Sequence, residues 1–495
     1  MGQSYGYTCP PVNSTEADFE SSEQRVRAHQ TELRKELGTF DLAMAQVAYM
    51  ITLEFFGTAT KAGPAHTLLW LTGIVFFFVP LAIVVIFLND RMPLEGGLYE
   101  WARLGFNEGI GFLVAWNLWL YIVLLVGEYG FVLITYVAFA IGDKAQWMAS
   151  SKGIILVASL LLVGSLIVIT ALGLRIGKWV INLGGVMTIF ALGLLIVMAA
   201  KLHWLAGDPV AKALPLATPP PTLASVSIFS KMTFGALCGF EFVAILAGEC
   251  RNPARTIGRS VLISAPIIGA LYIFVTSAIL TFIPMDQINL IGPVPQALVL
   301  ALHGHGATKL IAPVTILLLF TNVFCTAALV FAAGARLPMV AGWEGIVPAW
   351  FTKLHPKYRT PVNSVFFAAA ATVAACLIAL AGVKAEEAFS LIQIWGFTLY
   401  GLVYLAMFAL PVLGGRRLGV GAKLWVRVAA CSGFAVTAVF VVLSIFPVID
   451  VPNPASYAWK TAAVIVGVNL AGAALYTKAR RVAGRVTSSN PATVV

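Results

Sequence analysis

Three carboxylates stand inside long apolar runs. They are Glu54 in Tyr49-Met50-Ile51-Thr52-Leu53-Glu54-Phe55-Phe56-Gly57, Glu128 in Val126-Gly127-Glu128-Tyr129, and Glu241 in Cys238-Gly239-Phe240-Glu241-Phe242. No Lys or Arg sits equally deep to neutralise them; Lys231 is nearest, but it falls close to the end of its run, where a long apolar stem can snorkel. A carboxylate in apolar surroundings either stays protonated, hydrogen-bonded to a neighbouring backbone or hydroxyl group, or meets a cation that arrives from outside. Either behaviour suits a pathway across a membrane. Gly235 and Gly239, just ahead of Glu241, weaken a helix where its backbone would have to unwind, and an unwound stretch offers N–H groups to a carboxylate and C=O groups to an ammonium or metal ion. The same glycines also suit close helix packing. Trp116, Asn117, Trp119, Tyr121, Asn322, Gln393 and Trp395 are further polar or aromatic candidates for a cavity lining, or else belt and packing residues.

The elements that carry these groups follow from composition. Of 495 residues, 59% are hydrophobic and 11% charged, against about a quarter charged in soluble domains. That excludes soluble enzymes, disordered chains and disulfide scaffolds, and leaves an all-α polytopic membrane protein, because about 20 apolar residues in a helix cross the hydrocarbon while satisfying their own backbone. Twelve apolar runs emerge, at 41–61, 67–88, 110–141, 153–174, 179–200, 225–248, 261–284, 309–334, 362–383, 388–412, 424–446 and 458–477. Asn89 to Asn107 holds Arg91, Pro93, Glu95, Gly96, Gly97 and Arg103, too polar to span, and reads as an interfacial loop. With the amino terminus inside, alternate loops place 23 of the 32 Lys and Arg on the cytoplasmic side and 9 on the other. That asymmetry predicts both termini in the cytoplasm.

The net charge of +10 therefore marks the flanks of spans rather than a nucleic-acid partner. Four of the six cysteines, Cys238, Cys325, Cys376 and Cys431, lie inside apolar runs, and no CxxC pair or disulfide framework follows from them. His303 and His305 flank Gly304 with no Cys or carboxylate cluster nearby, so no metal site is expected, and no other cofactor is implied. No HExxH or GxSxG occurs and no His falls within any of the twelve runs, which argues against an enzyme. The first forty residues are polar and read as a cytoplasmic tail.

Four motifs in order point to a family. Lys35-Glu36-Leu37-Gly38-Thr39-Phe40-Asp41 precedes the first run, and Pro93-Leu94-Glu95-Gly96-Gly97-Leu98-Tyr99-Glu100-Trp101 follows the second. Gly239-Phe240-Glu241 leads to Gly248-Glu249-Cys250-Arg251-Asn252-Pro253-Ala254-Arg255, and Arg336-Leu337-Pro338 runs through Gly345-Ile346-Val347-Pro348 to Thr360-Pro361-Val362-Asn363. Together they resemble the amino acid–polyamine–organocation transporter superfamily: the approach to the first span, the loop after the second, the sixth-span signature, and the loop between spans eight and nine.

The resemblance implies twelve transmembrane helices: a five-plus-five inverted-repeat (LeuT-like) core of residues 41–200 and 225–412, accessory spans at 424–477, and tails at 1–40 and 478–495. It implies secondary-active transport of amino acids or related amines across the cell membrane by rocking-bundle alternating access, with the lipid bilayer as surroundings. The first helix would unwind near Tyr49 to Leu53 and the sixth near Leu237 to Glu241. Tyr49, Met50, Ile51, Thr52, Leu53, Glu54, Cys238, Gly239, Phe240, Glu241 and Trp395 are then the expected substrate-binding residues. Glu54, Glu128 and Glu241 are the coupling candidates, for protons or a counter-substrate, and Glu249 and Arg251 belong to a cytoplasmic gate. Family members commonly carry a Gly-rich break where this chain has Tyr49–Glu54, a stretch that looks more like the glutamate/γ-aminobutyrate exchanger and polyamine-permease branches. A Lys in the fifth span serves proton coupling in many bacterial members, and nothing ionisable lies between Lys178 and Lys201 here, which favours exchange or carboxylate-based coupling. A polyamine permease and a non-transporting sensor on the same fold remain the alternatives.

Overall fold

The computed structural model describes residues 37–92, 97–172, 178–242, 250, 252–303, 309–340, 343, 346–355, 360–414 and 421–489. Lys35, Glu36, Pro93 to Gly96, Gly248, Glu249, Arg251 and Gly345 lie outside the described residues, so the gate expectation and part of each of the four motifs find no counterpart there.

The chain is helical. The first run forms two pieces, α1 (Thr39–Met50) and α2 (Phe55–Thr60). Next come α3 (Gly63–Arg91), α4 (Leu98–Gly105), α5 (Glu108–Ile141), α6 (Lys152–Ala171) and α7 (Lys178–Leu205). The second half has α8 (Leu223–Leu237), α9 (Pro253–Phe282), α10 (Pro293–Ala301), α11 (Ile311–Val340), α12 (Val362–Leu380) and α13 (Ala385–Leu413), followed by α14 (Leu424–Leu443) and α15 (Pro454–Ser489). Among the described residues ten helices are long and apolar enough to cross a membrane. They match ten of the twelve expected runs. Of the other two, 41–61 is interrupted, and 225–248 leaves the helix after Leu237, with 243–249 outside the described residues.

Three sequence expectations need correction. Asn89 to Asn107 is not a loop throughout: α3 runs on to Arg91, and α4 buries Leu98, Tyr99, Trp101 and Ala102, with Glu100 taking Arg103 at 2.7 Å. The apolar side chains there find partners on α5 and α13, so the segment packs into the bundle instead of lying on its surface. Arg336 to Pro338 continues α11 and is not part of a loop; Pro338 stands near the end of the helix, where it gives up one i−4 hydrogen bond. His66 and His203 fall within the first and last turns of α3 and α7, since both helices outrun their apolar cores.

Helix ends and bends have local causes. Asn107 caps α5 by accepting the Ile110 N–H at 2.9 Å, and Pro253 sits at the start of α9, where a missing N–H costs nothing. In α3, Ile74–Phe78 forms a π-turn just before Pro80. The proline ring crowds the carbonyl four residues back, and that Phe76 carbonyl instead accepts the Ser432 hydroxyl of α14 at 2.6 Å.

α5 and α13 are the most enclosed spans and α15 the least. α1 packs on α7 and α9, and α8 on α2 and α14. Close approach of α1 and α7 depends on Gly185, where a Cβ would stand 2.7 Å from the Met44 carbonyl oxygen. The connection after α7 is fastened to α9: His203 reaches Thr281 Oγ1 at 3.0 Å and Asp208 Oδ2 at 3.0 Å, and the Ser277 hydroxyl donates to the Ala213 carbonyl. Lys212 donates to Asp208 at 2.7 Å. The hydrogen bonds from Lys212 and His203 hold the Asp208 carboxyl below the usual aspartate range.

Candidate substrate site between two helix breaks

The two interrupted helices break at facing positions. At the first, α1 ends at Met50, Ile51 takes φ −78° and ψ 84°, and the helix resumes at Phe55. At the second, α8 ends at Leu237, Cys238 is extended, and Gly239 has φ 127°, a left-handed conformation that a side chain resists. A Cβ at Gly239 would stand 2.9 Å from Met50 Cγ and 3.2 Å from Tyr49 Cε1, so the breaks touch.

Unwinding strands backbone groups in an apolar setting, where each one left unpaired is costly. Two tyrosines on neighbouring helices relieve this. The Tyr272 hydroxyl of α9 donates to the Met50 carbonyl at 2.8 Å and accepts the Thr52 N–H at 3.1 Å. The Tyr404 hydroxyl of α13 accepts the Gly239 N–H at 2.7 Å and donates to Glu241 Oε2. Each break is thus pinned by one hydroxyl acting as donor and acceptor.

Between the breaks and α5 lies a narrow central cleft with a cavity volume of only about 10 Å³. Tyr49, Thr52 and Cys238 line it from the breaks, and Tyr121, Leu125 and Tyr129 from α5. Phe397 of α13 borders it and also a larger vestibule, with a cavity volume of about 40 Å³, near the start of α13 and the end of α14. Phe397 meets Phe55 edge-on at 4.8 Å and Tyr121 at 5.5 Å, making an aromatic partition between the two spaces. On the other flank Tyr49 packs on Phe242 with ring centres 4.1 Å apart.

The three carboxylates are all buried, and among the described residues none forms an ion pair. Glu54 sits at the resumption of helix in α2, and its carboxyl interacts electrostatically with Glu128, Tyr129 and Tyr136 of α5. Glu128 accepts the Gln393 amide at 2.7 Å. Glu241 is held by Tyr404 through Oε2, while its buried Oε1 has no partner among the described residues. Glu128 and Glu241 therefore have neutral hydrogen-bond partners, the arrangement a protonated acid also accepts.

Other expected residues go elsewhere. Phe240 stacks on Phe78 of α3 at 4.7 Å, and Trp395 is buried with its Nε1 unpaired among the described residues; neither borders the cleft or the vestibule. Met50, Ile51 and Leu53 are buried in the core beside the break. Trp116 and Asn117 line no cavity: they bind α15, through the Val468 carbonyl at 2.9 Å and Asn469 Oδ1 at 2.8 Å. Trp119 stacks on Phe367, and Asn322 bridges α11 to α7 through Thr188 at 3.0 Å. Tyr121 and Gln393 do border the two spaces. Sequence reasoning missed Tyr272, Tyr404, Tyr129 and Phe397. Only Tyr129 carried a usable signal, lying on the same helical face as Tyr121 and Leu125 at steps of four.

A bundle of membrane-length helices with two broken ones facing across a cleft defines a polytopic membrane transporter. Residues 37–468 match the sequence profile of the amino acid permease family, and the chain belongs to that family. It is a transporter and not an enzyme. An uncharacterized transporter of Legionella pneumophila is 25% identical over 389 residues, covering 77% of this chain and 81% of the relative. The branched-chain amino acid permease BcaP of Bacillus subtilis is 25% identical over 413 residues, covering 76% and 81%. A probable agmatine/putrescine antiporter, AguD, of Lactococcus lactis is 24% identical over 262 residues, covering 52% and 54%.

Proposed function

We propose that this permease carries an amino acid or a related amine across the cell membrane by alternating access, with both termini in the cytoplasm. The observation that carries the reading is the pair of tyrosine-pinned breaks facing one cleft. Free backbone dipoles at such breaks favour a carboxylate at a helix amino end and an ammonium at carbonyl groups. In this reading the two interrupted helices also cross the membrane, giving twelve crossings. Residues 41–200 and 225–412 form inverted repeats, and 424–477 are accessory.

The substrate lies against Tyr49–Glu54 and Cys238–Glu241, with Phe397 closing it off from the vestibule and Trp395 stiffening α13 behind. Glu54, Glu128 and Glu241 serve coupling to protons or a counter-substrate, and Glu249 with Arg251 acts in cytoplasmic closure. Names of relatives bracket the substrate class between branched-chain amino acids and diamines. The aromatic and hydroxyl lining suits either, since ring faces attract ammonium groups and also cover aliphatic chains.

The test is a thermal-shift screen of the purified chain against all amino acids and common polyamines at two pH values, followed by counterflow in sealed proteoliposomes. A ligand that raises the melting temperature by mass action and drives counterflow supports the reading. A ligand that raises it without counterflow would convert the protein into a sensor on this fold, and no response in either assay refutes both.

A further inference from the structure

The vestibule holds a charge that the central site does not use. Lys231 lies on α8, and its side chain is 6% exposed. Its Nζ donates to the Phe446 carbonyl beyond the end of α14, and among the described residues no carboxylate pairs with it. An ammonium carries three donors, so two remain to be satisfied. Burying a cation in this state is costly unless something anionic completes it.

Lys231 borders the vestibule together with Glu386, Ser390, Gln393 and Tyr457. Ser390 Oγ and Tyr457 Oη lie 3.0 Å apart, and Gln393 gives one amide N–H to Glu128. Glu386 is solvent-exposed, and apart from Thr58 the remaining wall is aromatic or aliphatic. The space thus offers one enclosed cation, one exposed anion and apolar cover. That combination fits a zwitterion and penalises a molecule whose charges are all positive, because such a molecule brings a like charge near Lys231 and no carboxylate to complete its hydrogen bonds.

We infer that Lys231 recognises the carboxylate of the transported molecule in the vestibule, so that entry selects amino acids over their decarboxylated amines. The inference rests on the permease reading and sharpens its substrate class. The carboxylate completes the Lys231 hydrogen bonds before the molecule passes Phe397.

Two matched ligand pairs test it, leucine with 3-methylbutylamine and arginine with agmatine, each differing by one carboxylate. Affinities are measured by competition in counterflow and by thermal titration, for the wild-type chain, Lys231→Met and Lys231→Arg. In the wild type at least one amino acid is expected to bind about tenfold or more tightly than its amine, the scale of one charge-assisted hydrogen bond. Lys231→Met should erase that preference by weakening the amino acid alone, and Lys231→Arg should retain it.

Monodisperse elution and an unchanged amine affinity separate this result from misfolding. No preference in either wild-type pair, or a preference that survives in Lys231→Met, overturns the inference. Transport of amines alone overturns it while leaving the permease reading intact, and the absence of any counterflow sinks the permease reading first. If Lys231→Met does not fold, Lys231→Gln decides by the same comparison.

Discussion

The Tyr404 hydroxyl spans the second helix break, accepting the Gly239 N–H at 2.7 Å and donating to the carboxyl of Glu241. One oxygen therefore satisfies a stranded backbone donor and fixes a buried acid. Tyr272 does the equivalent for Met50 and Thr52 at the first break, without a carboxylate. Removing the oxygen in Tyr404→Phe orphans the Gly239 N–H and leaves Glu241 with neither carboxyl oxygen paired to a side chain among the described residues, since Oε1 already lacks a partner there. A loss of about 2 kcal/mol is expected from the unpaired groups. Thermal unfolding in detergent should show it as a lowered melting temperature, and counterflow should fall at the same time. A Tyr404→Phe protein with unchanged melting and transport would show that the bond does not hold the break.

Gly239 is the backbone position least able to accept a side chain. Its φ of 127° is strained for any L residue, and an added Cβ meets Met50 and Tyr49 of the opposite break. Gly239→Ala is expected to cost on the order of 2 kcal/mol and to push the breaks apart. Gly193→Ala is the control, because nothing lies within 4 Å of its added Cβ. Substrate affinity and melting temperature should drop for the first and not for the second.

Most of the fold was legible because the bilayer allows few alternatives. A run of twenty apolar residues must become a helix, and ten runs did. The glycines ahead of Glu241 signalled a weak helix, and the family likeness put the breaks near Tyr49–Leu53 and Leu237–Glu241. Helix in fact stops after Met50 and after Leu237. What could not be read is which side chain crosses to meet a break. Tyr272 and Tyr404 are single hydroxyls within apolar runs, and their partners lie about 160 to 220 positions away in sequence. For Trp116 and Asn117 the sequence left cavity lining and packing open for the same reason: Val468 and Asn469, which bind them, lie 352 positions on, and no local pattern distinguishes a polar group facing a cavity from one facing another helix.

Outside the membrane the latch on the connection after α7 should respond to acid. Lys212 and His203 hold the Asp208 carboxyl below its ordinary value of 3.8. A group with a depressed folded pKa contributes stability that is present above the unfolded value and is lost as pH falls through the folded one. Asp208→Asn should therefore lower the melting temperature slightly at neutral pH. The gap between the two proteins should close only below about pH 3.8, as wild-type Asp208 itself becomes protonated. A gap that is constant across the acid range would mean that charge on Asp208 is not what holds the latch.

Phe397 borders both the central cleft and the vestibule, so the two spaces are separated by one ring and its contacts with Phe55 and Tyr121. Cys238 lies on the cleft side of that partition. In a chain retaining Cys238 as its sole cysteine, a membrane-impermeant thiol reagent added at the vestibule face should label it slowly. Phe397→Ala deletes the ring and merges the spaces, so labelling should accelerate by at least about tenfold, the factor that corresponds to removing about 1.4 kcal/mol of barrier. Phe397→Tyr keeps an aromatic ring there and should label at the original rate. A substrate seated against Cys238 would slow the reaction in both variants, which separates occupation of the cleft from access to it. Equal labelling of the wild type and Phe397→Ala would show that the ring is not the barrier and would move the closure to Phe55 or to the vestibule wall.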